Sequence, residues 1–263
     1  MTDPARWRVV LAGLLAGPEV ALITARIQRA FDAQRRAEDR LRSFVADAGH
    51  ELRTPLATMH GWIDLYAQGG LRDPGQLDHA MERMAAEVGR MRLIVDELSL
   101  LARLDSGRPL DRSPVDVVAL AGEVVDDARV VSPDRPIELR GEPAAVLDAD
   151  GPRIQQVLRN LVGNAVQHTP PGTPVSVTVE RRDDAVLLAV SDEGEGIAPE
   201  HLPHVFERFY RADPARSRAD GGSSGLGLAI VEGIVTAHGG TVAVTSEPGT
   251  GTTVRVTFPL PSG

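Results

Sequence analysis

At 263 residues with 42% apolar side chains, the chain can form one large or two ordinary domains with genuine cores, and its length favours two. Aromatic residues are only 3% of it, so those cores are aliphatic. A formal charge of -9 argues against a dedicated nucleic-acid binder, and the complete lack of cysteine excludes disulfides, thiolate zinc sites and cysteine nucleophiles.

Taken in chain order, the first apolar segment is the uncharged run Val9 to Gly17, which stops at Pro18 and Glu19. A membrane-spanning helix needs about 20 apolar residues, so the run reads as the stub of a longer architecture. From Ile23, small or apolar residues return at alternating steps of four and three: Ile23, Ile27, Ala30, Gln34, Ala37, Leu41, Phe44, Ala48. This predicts a coiled-coil-like helix interrupted by one polar member.

The stretch "FVADAGHELRTPL" continues that helix and puts His50 two residues past the seam, facing solvent. Position alone would make it an ordinary surface histidine. Glu51 beside it is placed to accept an imidazole proton, which would leave the other nitrogen nucleophilic. Thr54 lies one turn on and is placed to orient a water at that nitrogen. Pro55 removes one helical hydrogen bond and crowds the Glu51 carbonyl, which predicts a bend.

"QGGLRDPGQ" ends this helix, and a second seam follows through Leu77, Met81, Met84, Val88, Met91, Val95, Leu98 and Ala102. Two such helices form an antiparallel hairpin with half of its apolar stripe uncovered. Pairing of two copies into a four-helix bundle solves that exposure. "LDSGRPLDRSP", Leu104 to Pro114, is the domain boundary.

Beyond it, helices are expected over Val117 to Arg129 and Gly151 to His168, with strands at "PVSVTVE", "AVLLAVSD", "GGTVAVTSE" and "TTVRVTFPL". The helix in "GLGLAIVEGIVTAHGG" falls between the second and third of these. The mixture predicts an α+β two-layer sandwich, with helices on one face of a mainly antiparallel sheet. Ala212 to Gly225 reads as a mobile loop.

Three clusters in this part carry candidate chemistry, each with a plainer alternative. In "DEGEGI", Asp192 can accept from an amino group while Gly194 and Gly196 allow a planar ligand to approach; the segment could equally be an acidic turn. In "GGSSGLGLAIV", Gly225 and Gly227 precede a helix start, where backbone N–H groups bind phosphate, although such loops also serve as hinges. In "RNLVGNAVQHT", Asn160, Asn164 and His168 share one helical face, and amide oxygens suit magnesium.

Together and in order, these segments resemble the catalytic core of a sensor histidine kinase of two-component signalling. "FVADAGHELRTPL" is similar to the H box, "QQVLRNLVGNAVQHT" to the N box, "SDEGEGI" to the first glycine box, "FERFYR" to the F box and "SSGLGLAIV" to the second glycine box. The resemblance covers roughly Ala25 to Leu260. It implies an N-terminal stub and HAMP-like helix at 1–40 and a dimerisation and phosphotransfer domain at 41–106. A linker at 107–114 and a Bergerat-fold ATP-binding domain at 115–263 would follow.

It further implies that His50 is the phosphoacceptor, Glu51 its assisting base and Thr54 a phosphatase residue. Asp192 would read the adenine amino group and Asn164 would bind Mg2+. Gly194, Gly196, Gly225 and Gly227 would shape the pocket for ATP, alongside Asn160. The implied partners are a second copy of the chain and a response-regulator receiver domain, with no nucleic acid. The implied location is cytoplasmic, either as a soluble kinase or as the cytoplasmic part of a membrane-bound one.

Two positions depart from the family pattern. Gly49 stands where serine is usual, which costs the helix about 1 kcal/mol against alanine. Gln167 replaces a lysine or arginine, leaving His168, Arg208 or a lid arginine (Arg211, Arg216, Arg218) to supply positive charge. A hydrolytic ATPase of the gyrase or MutL type would carry a glutamate base where Asn160 stands, so its absence favours transfer over hydrolysis. The remaining alternative is a catalytically weak, phosphatase-dominant or scaffold protein.

Overall fold

The computed structural model describes residues 18–141, 145–212 and 224–260. The Val9–Gly17 run, Arg216, Arg218 and most of the expected loop at 212–225 lie outside the described residues. Among the described residues no helix is long and apolar enough to cross a membrane. The chain divides into two compact units, residues 1–54 and 55–263.

Helix α1, Pro18–Ala67, runs for 50 residues with Pro55 inside it and buried, and the division of the chain falls immediately before that proline. The N–H of Gly70 bonds to the carbonyl of Leu65 while Gly69 takes φ 72°, a left-handed stop that ends the helix. Helix α2, Pro74–Asp105, starts where the Asp73 carboxylate accepts from the Gly75 N–H at 3.1 Å, with proline in the first turn. The chain reverses between the two helices, and the rings of Trp62 and His79 meet edge to face at 6.0 Å.

Within α2 the buried residues are Ala80, Ile94, Leu100 and Leu101, one position round from several members of the expected seam. Seam residues Met81, Val88 and Val95 are instead about half exposed. Towards the C-terminal end the burial of Leu101 has a local cause: the last turns of α2 pack against helix α5, Gly227–Ala237, where Gly233 is close to Leu101 and Leu104. Leu56 and Ile63, seven residues apart on α1, are likewise open. Apolar rows at coiled-coil spacing therefore remain uncovered in the single chain.

The rest of the second unit is an α/β sandwich. Strand β1 (Ser113–Asp116) leads into helix α3 (Val117–Val131), strands β2 (Ile137–Gly141) and β3 (Val146–Ala149), and helix α4 (Gly151–Gln167). Strands β4 (Val175–Arg181) and β5 (Ala185–Asp192), a short 3-10 turn at Leu202–His204, α5, β6 (Thr241–Glu247) and β7 (Gly251–Pro259) complete it. The main sheet has the order β2-β4-β5-β7-β6, antiparallel except for the β2–β4 pair, and β1 pairs with β3 in a separate ribbon.

Register makes the core. Val177 opposes Val190 and Val179 opposes Leu188, while Leu188 and Val190 oppose Val256 and Val254 on the other side. These side chains are buried beneath Ile154, Leu158 and Leu161 of α4 and Ile230 and Ile234 of α5.

Asp150 caps α4, its side chain accepting from the Arg153 N–H, and its own N–H donates to Nε2 of buried His238 at 3.1 Å. Nδ1 of His238 faces the Ile234 carbonyl at 2.8 Å, so the ring is neutral with its proton on Nδ1. Burial lowers the His238 pKa and the nearby Arg112 charge adds to this, against the opposing influence of Ile234 and Asp150. A depressed histidine pKa means the unfolded chain takes up the proton first, so stability is complete above the ordinary value and falls as pH drops below it. We expect the melting temperature to decline from pH 7 to pH 5, with a smaller decline in His238→Gln, checked by calorimetry across that range.

Candidate functional site

In the first unit, His50 is exposed on α1, as its position off the seam requires. A guanidinium nitrogen of Arg53 stands 3.4 Å from its Nδ1. Arginine only donates, so this contact assigns the lone pair to Nδ1 and the ring hydrogen to Nε2. Attack through Nε2 needs that proton moved to Nδ1, and attack through Nδ1 needs Arg53 withdrawn; either route opens the contact. The Thr54 hydroxyl points to the His50 carbonyl at 3.4 Å rather than to the ring, and Glu51 is half-buried. Arg53 was not singled out from sequence, although its spacing of three from His50 is the signal for such a pair.

In the second unit, the N-terminal part of α5 meets α4. The Asn160 amide donates to the Gly227 carbonyl at 3.0 Å. A Cβ at Gly227 would stand 3.7 Å from the Asn164 amide oxygen, which places that side chain beside the glycine as well. The polar face expected on α4 is thus brought to the second glycine box.

Asp192 ends β5, where its Oδ1 accepts from the Gly194 N–H at 2.9 Å and the Thr252 N–H at 3.3 Å. Burial raises its carboxyl pKa, and the two N–H bonds and the charges of Arg135 and His168 counter that rise. A half-buried carboxylate with one oxygen fixed by backbone donors presents the other as an acceptor. Gly194 is buried, and a Cβ there would collide with the methyl of Thr169 and with Asp192 itself. This tight floor suits a flat ligand edge.

The loop after Asp192 is laced to the β6–β7 turn. Gly249 N–H donates to Glu195, and Ile197 N–H donates to the Ser246 hydroxyl, each at 2.8 Å. Gly196 has φ 71°, and a side chain would strike the Glu247 carbonyl. We expect Gly196→Ala to destabilise the domain by about 2 kcal/mol from left-handed strain plus that collision. The matching fall in melting temperature is about 4–8 °C, read by calorimetry.

The F box and second glycine box also meet. Phe209 adopts φ 62° and its N–H donates to the Gly225 carbonyl at 2.8 Å, while Gly225 itself has φ 71°. A side chain on Gly225 would press on the Phe209 backbone. Just before it, the Ser224 hydroxyl donates to Glu97 on α2 at 2.6 Å and accepts from the Leu226 N–H at 3.2 Å. Burial raises the Glu97 pKa, with the serine bond opposing. Nearby, Arg208 bonds both carboxylate oxygens of Asp105, at the end of α2, at 2.8 Å.

These contacts bear on the charge missing at Gln167. The surrounding protein desolvates His168 and lowers its pKa; Asp192 opposes this and Arg211 adds to it. His168 is therefore biased toward the neutral form, and Arg208 is engaged by Asp105. Among the described residues, Arg211 is a cation whose charge reaches His168.

Comparison with known proteins bears on the whole arrangement. Residues 40–107 match the model of the His Kinase A (phospho-acceptor) domain, and residues 149–262 match that of the histidine kinase-, DNA gyrase B- and HSP90-like ATPases. The chain is 48% identical over 225 residues to the probable sensor histidine kinase TcrY of Mycobacterium tuberculosis, covering 85% of this chain and 47% of that protein. It is 37% identical over 226 residues to the sensor histidine kinase YkoH of Bacillus subtilis, covering 86% and 49% respectively. The chain thus spans about half the length of the curated relatives it matches. Among solved structures, full-length ShkA in complex with AMPPNP matches with TM-score 0.61 at 30% identity, over 81% of this chain and 45% of that one. The Acinetobacter baumannii histidine kinase AdeS shares the fold, with TM-score 0.65 at 23% identity over 81% of this chain and 98% of that one.

Proposed function

Because the chain belongs to the sensor histidine kinases of two-component signalling, we propose that it uses ATP to phosphorylate His50 and passes the phosphoryl group to an aspartate of a response-regulator receiver domain. The observation that carries this reading is the commitment of Asn160 to the Gly227 carbonyl. Where a hydrolytic relative would place a water-activating glutamate, this pocket has an amide spent on holding the second glycine box.

In that reading the free oxygen of Asp192 accepts from the adenine amino group, over the floor left open by Gly194. The start of α5, with Gly225 and Gly227, offers backbone donors to the phosphates. The Asn164 oxygen fits a magnesium ion, which when bound neutralises phosphate charge. A neutral imidazole nitrogen of His50 attacks the γ-phosphorus, the bond to the bridging oxygen of ADP breaks, and Glu51 or water takes the ring proton. Thr54 is assigned to hydrolysis of the phosphorylated partner.

The exposed apolar rows Leu56 and Ile63 on α1, and Met81, Val88 and Val95 on α2, support pairing of two chains into a four-helix bundle. The domain limits proposed from sequence, 1–40, 41–106, 107–114 and 115–263, go with this reading, as does a HAMP-like role for the first part of α1 and a cytoplasmic location. The test is incubation of the chain with γ-labelled ATP and Mg2+. One acid-labile, base-stable phosphate per labelled chain, chased onto a receiver domain, is the expected result. Steady release of free phosphate with no labelled chain would overturn the proposal.

A further inference from the structure

Arg135 lies in the turn between α3 and β2, only 7% exposed, and none of the motifs above includes it. One guanidinium nitrogen donates to the Thr169 hydroxyl at 2.5 Å and the Thr173 carbonyl at 3.0 Å. The other donates to the carbonyls of Val166, Thr169 and Pro170 at 3.1, 3.2 and 2.9 Å. The five acceptors lie on the last turn of α4 and the segment that leaves it, where Pro170, Pro171 and Pro174 offer no N–H, so one buried side chain satisfies carbonyls that have few other donors. Lysine offers its hydrogens from a single atom and cannot span this fan.

The segment so held touches the pocket. Thr169, its hydroxyl also bonded to the Ala165 carbonyl at 2.6 Å, presents its methyl group to Gly194, and the Gly194 N–H holds Asp192. The chain of contact runs from Arg135 through Thr169 to Gly194 and Asp192. We propose that Arg135 is a positioning residue for nucleotide recognition, clasping the 166–173 segment so that Thr169, Gly194 and Asp192 keep the spacing that receives the base. This rests on the assignment of ATP to the pocket.

Arg135 also acts on Asp192 through charge. Together with His168 it opposes the rise in the Asp192 pKa that burial causes. With one oxygen held by the Gly194 and Thr252 N–H groups, protonation places its hydrogen on the oxygen that would face the amino group and turns an acceptor into a donor, so binding weakens as pH falls through the raised range. Removing the Arg135 charge moves this acid limb to higher pH, whereas Arg135→Lys keeps the charge and leaves the limb in place.

The experiment is titration calorimetry of the full chain with ADP and Mg2+ between pH 4.5 and 8, on native protein, Arg135→Lys, Arg135→Met and Thr169→Val. Failure of the native chain to bind ADP removes the assignment of the pocket itself. With native binding in hand, the expected results are affinity about tenfold weaker at pH 7.5 in Arg135→Lys, and at least as weak in Arg135→Met with its acid limb shifted upward. Affinities and acid limbs matching the native ones overturn the positioning role, whatever the melting temperatures. If Arg135→Met does not fold, Thr169→Val decides together with Arg135→Lys: weakened ADP binding in both supports the clasp, and native binding in both overturns it.

Discussion

Replacing His50 by glutamine is expected to reduce acid-labile, base-stable labelling from γ-labelled ATP to background, while ADP affinity is expected to stay within about twofold of native. Glutamine is a good helix former of similar size, and the position is exposed, so the helix tolerates it. What is lost is a ring nitrogen with a lone pair, and an amide nitrogen has none to offer. The paired measurements separate the roles: labelling reads the acceptor on α1, and calorimetry reads the pocket around Asp192. Label retained in His50→Gln assigns the acceptor elsewhere, and lost ADP binding would mean that the variant had damaged the protein.

On the proposed reading, Asp192→Asn is expected to weaken ADP binding by roughly 10- to 100-fold, equivalent to about 1.5–3 kcal/mol for a hydrogen bond to a charged group. The asparagine oxygen can still accept from the N–H groups of Gly194 and Thr252, so the end of β5 keeps its geometry. The other carboxylate oxygen becomes an NH2 and sets a donor against the donor of the adenine. An ADP affinity near native, in a protein melting near native, would remove Asp192 from base recognition. Autophosphorylation at saturating ATP distinguishes the cause: a defect confined to binding is partly rescued by concentration, whereas a misplaced nucleotide is not.

The parts legible in the sequence are those written with a period. His50 off its seam, the shared face of Asn160 and Asn164, and the alternation of β4, β5 and β7 all follow from 3.6 or 2 residues per repeat. The helices expected from Val117 and Gly151 start at those residues, each capped by the aspartate before it. Strands β1, β2 and β3 were missed because they are short and their burial depends on partners far along the chain; β2 enters the sheet parallel to β4. Side chains that act on distant backbone had no signature either. Arg135 reaches 34 residues to Thr169, and His238 reaches 88 residues to Asp150. The absence of a cation at Gln167 offers Arg208 as its replacement, yet the carboxylate that Arg208 bonds is 103 residues away on α2.

The bond between Ser224 and Glu97 makes the pocket and the helical hairpin share a residue. Ser224 braces the Leu226 N–H at the entry to α5 while it donates to α2, and the Arg208–Asp105 pair closes a second point of the same contact. By thermodynamic reciprocity, whatever factor a bound nucleotide applies to the opening of this contact, a displacement of α2 applies in equal measure to nucleotide affinity. A displacement of the hairpin that opens this contact is then expected to register as a change in ADP dissociation constant, without any measurement of phosphate transfer.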